Sequence, residues 1–174
     1  MILLLLCLIL AADQVTKYVV TTRLAEGESI VILSNYFSLT RIGNTGAAWG
    51  LFQGQNNALI VLSLVTIAVM FIFRRSFATS HPLHKASIGL ILGGIFGNLI
   101  DRLFHGHVID FLDFYVTLAA GQRHWPAFNV ADSAICVGAF LYIVTTLWHP
   151  KTRNGISPLA ELDRSAAVVV TEQK

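Results

Sequence analysis

Five aspartates are the residues through which this 174-residue chain could do chemistry: Asp13, Asp101, Asp110, Asp113 and Asp132. Four of the ten acidic residues fall between positions 101 and 132, flanked by two strongly apolar segments. Carboxylates are costly in such surroundings, so the cluster asks for a functional explanation. Two carboxyls brought together share one proton, because two negative charges a few Å apart repel. The ionised member can take a proton from water, and the neutral one can polarise a carbonyl or protonate a leaving nitrogen. Peptide-bond hydrolysis needs little more.

Each aspartate also has a structural reading. Asp13 is four residues before Lys17, good spacing for a helical ion pair, or it faces the interior of a helix bundle and supports a polar site. Asp101 adjoins Arg102 and reads as a charge anchor at a helix end. Asp113 lies one turn beyond Asp110 on a helix and reads as solvated. Asn129-Val130-Ala131-Asp132 resembles a helix start, with Asn129 as cap and an acid at the third position. Spacing alone puts Asp110 with Asp132 ahead of any other single pairing and leaves the other pairings open.

Other chemistries lack their residues. There is no His-Glu-x-x-His, no Gly-x-Ser-x-Gly elbow and no Gly-rich phosphate loop. Cys7 and Cys136 sit in apolar runs without metal-type spacing and read as two small buried side chains. His105 and His107 are two apart and would diverge on a helix. Neither a metal nor an organic cofactor is expected.

The elements that must position these groups belong to a membrane. Hydrophobic residues make up 55% of the chain and charged residues 13%, about half the usual share. Mean hydropathy is +0.66. The net charge of +2, with no basic cluster interleaved with aromatics, argues against a nucleic-acid partner. Apolar runs predict four membrane-crossing helices: Met1 to about Val20, Ala58–Phe73, Ala86 to about Phe104, and Val130–Trp148. The first is read as a retained helix rather than a signal peptide, since no basic segment precedes it and hydrophobicity resumes after Lys17. Gly93 and Gly97 form a small-xxx-small pair that admits a close neighbour. The segment 23–57 carries SIVIL and YFSLTRI followed by a Gly43-Asn44-Thr45-Gly46 turn, and predicts a small sheet against the bilayer, with Trp49 at the interface. The expected fold is therefore an all-α four-transmembrane-helix bundle with a small extracytoplasmic β-sheet (about 24–57) between its first two helices. Residues 1–150 form one domain, and 151–174 form a cytoplasmic, mobile tail.

Basic residues set the orientation. Arg74, Arg75 and Lys85 between the second and third helices, with Lys151 and Arg153 after the fourth, place both termini in the cytoplasm. Asp13, Asn44, Asn98, Asp101, Arg102, Asp110, Asn129 and Asp132 then gather at the outer half of the bundle.

These residues stand in blocks: Asp13-Gln14-x-Thr16-Lys17, Asn44-Thr45-Gly46-Ala47-Ala48-Trp49-Gly50, Gly97-Asn98-x-x-Asp101-Arg102, Val108-x-Asp110-Phe111, and Trp125-Pro126-x-Phe128-Asn129-x-Ala131-Asp132-Ser133. Five blocks in this order resemble the lipoprotein signal peptidase (signal peptidase II) family and cover most of residues 13–133. The resemblance implies a bacterial inner-membrane aspartic protease acting on diacylglyceryl-modified prolipoproteins, on the amino side of the lipidated cysteine, at the outer (periplasmic) face. It implies Asp110 and Asp132 as the catalytic pair. Asp13, Asn44, Asn98, Arg102 and Asn129 line or support the site, and Asp101 is structural. The partners implied are the prolipoprotein and the phospholipid bilayer, with the enzyme working as a monomer. Two departures are an apolar start without the usual basic residues, which reads as truncated or unusual, and Trp49 where Phe is common. A proton or ion relay using intramembrane carboxylates is the main rival class, and a helix-bundle scaffold the third; neither needs an outer sheet or the Trp-Pro-x-Phe-Asn-x-Ala-Asp block.

Overall fold

A computed structural model describes residues 1–47, 51–73, 81–119 and 121–148. In chain order the elements are α1 (Ile2–Arg23), β1 (Ser29–Leu33), β2 (Phe37–Asn44), α2 (Asn56–Ile72), α3 (Pro82–Phe104), β3 (Val108–Leu118), β4 (Gly121–His124) and α4 (Val130–Trp148). Trp49, Arg74, Arg75 and the tail beyond Trp148 lie outside the described residues.

The protein is an α+β membrane protein, and this overturns the all-α four-span expectation. Among the described residues three helices are long and apolar enough to cross a bilayer: α1, α3 and α4. The helix expected as the second span, α2, has 17 residues. At about 1.5 Å per residue that is roughly 25 Å, short of a ~30 Å hydrocarbon core. The sheet is also larger than expected. It has four antiparallel strands in the order β1-β2-β3-β4, and half of them come from the segment between α3 and α4.

The physical reason lies in β3. Its sequence, VIDFLDFYVTL, is rich in β-branched and aromatic residues, which suit a pleated surface. As a central strand whose first half is covered on both faces, it carries nearly consecutive apolar residues rather than an alternation. That concealed the period of two. Asp110 and Asp113 therefore stand on a strand, and Asp113 is buried rather than solvated. Its carboxylate accepts from Ser38 Oγ (3.1 Å) and lies 2.9 Å from His124 Nδ1.

Polarity in this molecule is inverted. Leu3, Leu4, Leu8, Val61, Phe140 and Leu147 face outward, whereas Asp13, Lys17, Asn98, Asp101 and Asn129 are buried. Burying polar groups inside an apolar exterior is what a lipid environment imposes. Helix α3 is the centre, half buried along its apolar stretch against 11% for α1 and 22% for α4. Small residues allow that. A side chain at Gly93 would meet Ile9 of α1, and one at Gly94 would meet the Ala131 carbonyl of α4. One at Gly97 would meet both the Asp13 carboxylate and Ala131 Cβ. Where α1 ends, Val20 and Leu24 pack on Phe111, with Leu39, Leu112 and Val130 around them. This apolar plug fixes the sheet onto the bundle and so fixes Asp110 relative to α4.

Candidate active site

Asp110 enters from the third residue of β3, and Asp132 from the first turn of α4. Both line one cavity of about 430 Å³, together with Asn44, Asn98 and Arg102. Its remaining wall is mostly apolar, from Trp125 to Phe128 and along Ile135 and Cys136. Of the residues singled out from the sequence, five reach this cavity. Asn129 is fully buried behind it, and Asp13 lies deeper still, 0% exposed.

Three asparagines hold the two carboxylates. Asn44 Nδ2 donates to Asp110 Oδ2 at 2.9 Å, and Asn129 Nδ2 donates to Asp110 Oδ1 at 2.8 Å. Asn98 Nδ2 donates to Asp132 Oδ1 at 2.7 Å, and the Asn129 backbone N–H donates to Asp132 Oδ2 at 3.2 Å. All four oxygens of the pair are thus held by neutral donors. The amide orientations are not independent. Asn44 Oδ1 is engaged by the Gly46 N–H (2.9 Å), Asn129 Oδ1 by the Asp132 N–H (2.9 Å), and Asn98 Oδ1 by both Lys17 and Asn129. Each oxygen is occupied elsewhere, so each amide must present its NH2 to the carboxylates.

The reciprocal bonds between Asn129 and Asp132 make a capping box at the start of α4. The structural reading of Asp132 therefore holds, and it coexists with a place on the cavity wall. At the third position of the helix its charge also meets the positive end of the helix dipole. Asp110 has no such aid. Burial, then the charge of Asp132, push its carboxyl up to about 7, against the weaker pull of the Asn44 and Asn129 hydrogen bonds and of Lys17. A carboxylic acid that holds its proton to neutral pH, beside a second carboxyl, is the arrangement needed for paired acid and base work.

Lys17 was not among the expected site residues. Its Nζ lies 2.8 Å from Asp13 Oδ2, 2.7 Å from Asp101 Oδ2 and 3.2 Å from Asn98 Oδ1. The three donors of the ammonium are all used. Asp101 pairs here rather than with Arg102, and also accepts from the Ile109 N–H and from Gln14. Asp13 reaches across to accept the Ala131 N–H of α4 at 2.9 Å. The signal in the sequence was the i,i+4 spacing of Asp13 and Lys17, which pointed to their own pair but not to the second carboxylate, Asp101, 84 positions away from Lys17. Arg102 bridges instead to carbonyls, Gly46 O at 3.0 Å and Asn98 O at 3.4 Å, and so ties the β2–α2 connection to α3. Among the described residues no group of three or more metal-type ligands occurs.

Comparisons with known proteins agree with this layout. Residues 5–148 match the family described as signal peptidase (SPase) II. A lipoprotein signal peptidase of Desulforapulum autotrophicum is 41% identical over 148 residues, covering 82% of this chain and 88% of that protein. Two solved structures of bacterial membrane enzymes, determined by the in meso method, share the fold. One has a TM-score of 0.76 at 29% identity, covering 88% of this chain and 91% of the other. The second has a TM-score of 0.72 at 30% identity, covering 84% and 92%. With the profile spanning most of the chain, and a curated relative well above 30% identity, the protein belongs to the signal peptidase II family of membrane proteases.

Proposed function

We propose that this protein is an aspartic endopeptidase that removes signal peptides from diacylglyceryl-modified prolipoproteins, cutting on the amino side of the lipidated cysteine. The observation that carries the reading is the meeting of Asp110 and Asp132 in one cavity, each carboxylate held by amide donors and none by a cation. A structural ion-pair network would place an ammonium or guanidinium between them.

In this mechanism Asp132 is the ionised partner and Asp110 the protonated one. A water held between them loses a proton to Asp132 as it attacks the scissile carbonyl, whose oxygen receives the Asp110 proton. The resulting gem-diol collapses when Asp132 returns its proton to the amide nitrogen, and the C–N bond breaks. Asp110 recovers a proton as the new carboxyl forms. Asn44, Asn98 and Asn129 keep both carboxylates in position throughout. The apolar walls of the cavity, where Ile135 and Cys136 continue one helical turn below Asp132, receive the lipid-bearing end of the substrate.

From the basic residues flanking the helices we read both termini as cytoplasmic and the sheet with its cavity as lying at the outer face of a bacterial inner membrane; α2, short as it is, then lies on the return path from the sheet to the start of α3. One chain supplies every residue of the site, which suits action as a monomer.

The test is cleavage of a purified diacylglyceryl-modified prolipoprotein in detergent. Wild-type protein should release a shortened product, whereas folded Asp110→Asn and Asp132→Asn variants should not. Normal cleavage by either variant rules out the pair, and absence of cleavage by the wild type rules out the protease. Sidedness is read from Gln122→Cys in a background with Cys7 and Cys136 replaced by serine. An impermeant maleimide should label it on intact spheroplasts; labelling only after lysis reverses the orientation.

A further inference from the structure

Beside the aspartates, the cavity has a wall of bare backbone. The segment 125–128 runs alongside β3. Trp125 N–H donates to Phe114 O at 2.8 Å, Phe128 N–H donates to Leu112 O at 3.1 Å, and Phe128 O accepts from Leu112 N–H at 2.8 Å. Successive residues of an extended chain turn their peptide groups to opposite sides. Trp125 and Phe128, three residues apart, both turn to β3, so the alternation is broken between them, and Ala127 makes no bond to that strand. Ala127 lines the cavity, and among the described residues neither its N–H nor its C=O has a hydrogen-bond partner. Pro126 has no N–H to offer. A free donor and acceptor on one residue at a cavity wall form a short strand edge, open to pairing.

Among its described residues, the opposite wall offers no equivalent. Gly46 N–H is used by Asn44 Oδ1 at 2.9 Å, and Gly46 O by Arg102 at 3.0 Å.

We propose that Ala127 is the docking point for the substrate's main chain: the extended residues next to the lipid-bearing cysteine pair with its N–H and C=O as an added strand. This rests on the proteolytic reading above. The position suits the chemistry. Ala127 is two residues from Asn129, whose side chain holds Asp110 at 2.8 Å. Two residues of extended chain span about 6.6 Å, and paired strands lie about 4.8 Å apart. The scissile carbonyl then falls within about two residues of the one that pairs. A peptide leaving a helical signal segment loses internal hydrogen bonds, and this edge replaces two of them. Main-chain pairing reads the shape of the chain rather than its side chains, so selection among sequences is left to the lipid-receiving wall.

The test uses the full-length enzyme in detergent and a diacylglyceryl-modified peptide series in which one backbone amide at a time is changed to an ester. An ester at one position within two residues of the scissile bond should lower kcat/KM about five- to tenfold, with little effect elsewhere. Ala127→Pro, which removes the enzyme's donor, should lower kcat/KM for the all-amide peptide similarly and leave that ester's penalty in place, because the ester removes the substrate N–H that meets the Ala127 carbonyl. Lactic acid in place of alanine at 127 removes the N–H without a ring, and serves if the proline variant does not fold. Equal effects of all esters, or an unchanged kcat/KM for the all-amide peptide in both enzyme variants, overturns the proposal. Failure of the wild type to cleave the all-amide peptide overturns the protease reading instead.

Discussion

Two pairs of carboxylates lie side by side in this protein and differ in one respect. Asp13 and Asp101 are separated by an ammonium, with Lys17 Nζ within 2.8 Å of each. Asp110 and Asp132 are held by three asparagines and a backbone N–H, with no cation in contact among the described residues. The first group is closed: Asp13, Lys17 and Asp101 are 0, 2 and 1% exposed, and every donor of the lysine is used. The second opens onto a cavity of about 430 Å³. A cation would satisfy the negative charge and keep both carboxylates ionised. Neutral amides fix the geometry but leave the charge underbalanced, so a proton is retained near neutral pH. On the proposed reading, identical side chains become framework or reactive according to what supplies their N–H.

The contrast breaks most sharply when the aspartates are neutralised. Asp110→Asn or Asp132→Asn should reduce cleavage of a lipid-modified substrate by about 10³-fold or more, with the variants still folded by circular dichroism. Removing the cation from the closed group should act on stability instead. Lys17→Met leaves two buried carboxylates facing each other and should cost about 3–5 kcal/mol, read as a lowered unfolding temperature in detergent. Gly97→Ala pushes the two groups apart, because its methyl meets Asp13 and Ala131. It should cost about 1–3 kcal/mol by the same measurement.

Titration sharpens the comparison. The folded chain keeps the Asp110 proton up to about pH 7, while the unfolded chain releases it near the ordinary 3.8. The stabilising contribution of that proton is full below about 3.8 and is lost as pH rises through 7. Activity should fall over the same upper limb. Asn44→Ala removes a donor that favours the charged form, so the limb should move to higher pH, as measured by kcat/KM profiles. The smallest effect is expected on the sheet. Asp113→Asn removes a partner of His124, whose side chain is 46% exposed, and should cost under about 1 kcal/mol.

The sequence was informative where a residue's role depends on its near neighbours. The cap at Asn129 with Asp132, the glycines of α3, the Asp13–Lys17 spacing and the SIVIL strand are all local patterns, and each stands where it was read. Long-range partners were hidden. Nothing near Lys17 points to Asp101, since the two meet only because Gly93 and Gly97 let α1 lie against α3. The strand β3 was hidden by its own burial. With apolar side chains on both faces around Val108 to Leu112, its alternation vanished, and Asp110 and Asp113 took on a helical spacing they do not have. The cavity was legible through its polar residues alone; its backbone wall at Ala127 carries no mark in the side-chain sequence.

One hydrogen bond also bears on when the site comes into being. Asp13 Oδ1 accepts the N–H of Ala131, joining the first helix to the last across 118 positions. During synthesis α1 emerges first and α4 last among the described elements. Until α4 arrives, Asp13 lacks that donor, Asp132 does not exist, and Asn98 has no carboxylate to hold. A ribosome-bound intermediate therefore has the greasy exterior of a membrane protein but only half of the proposed catalytic centre. Competence to cut arrives as a single late event, when the final helix docks and one bond closes the ring of elements.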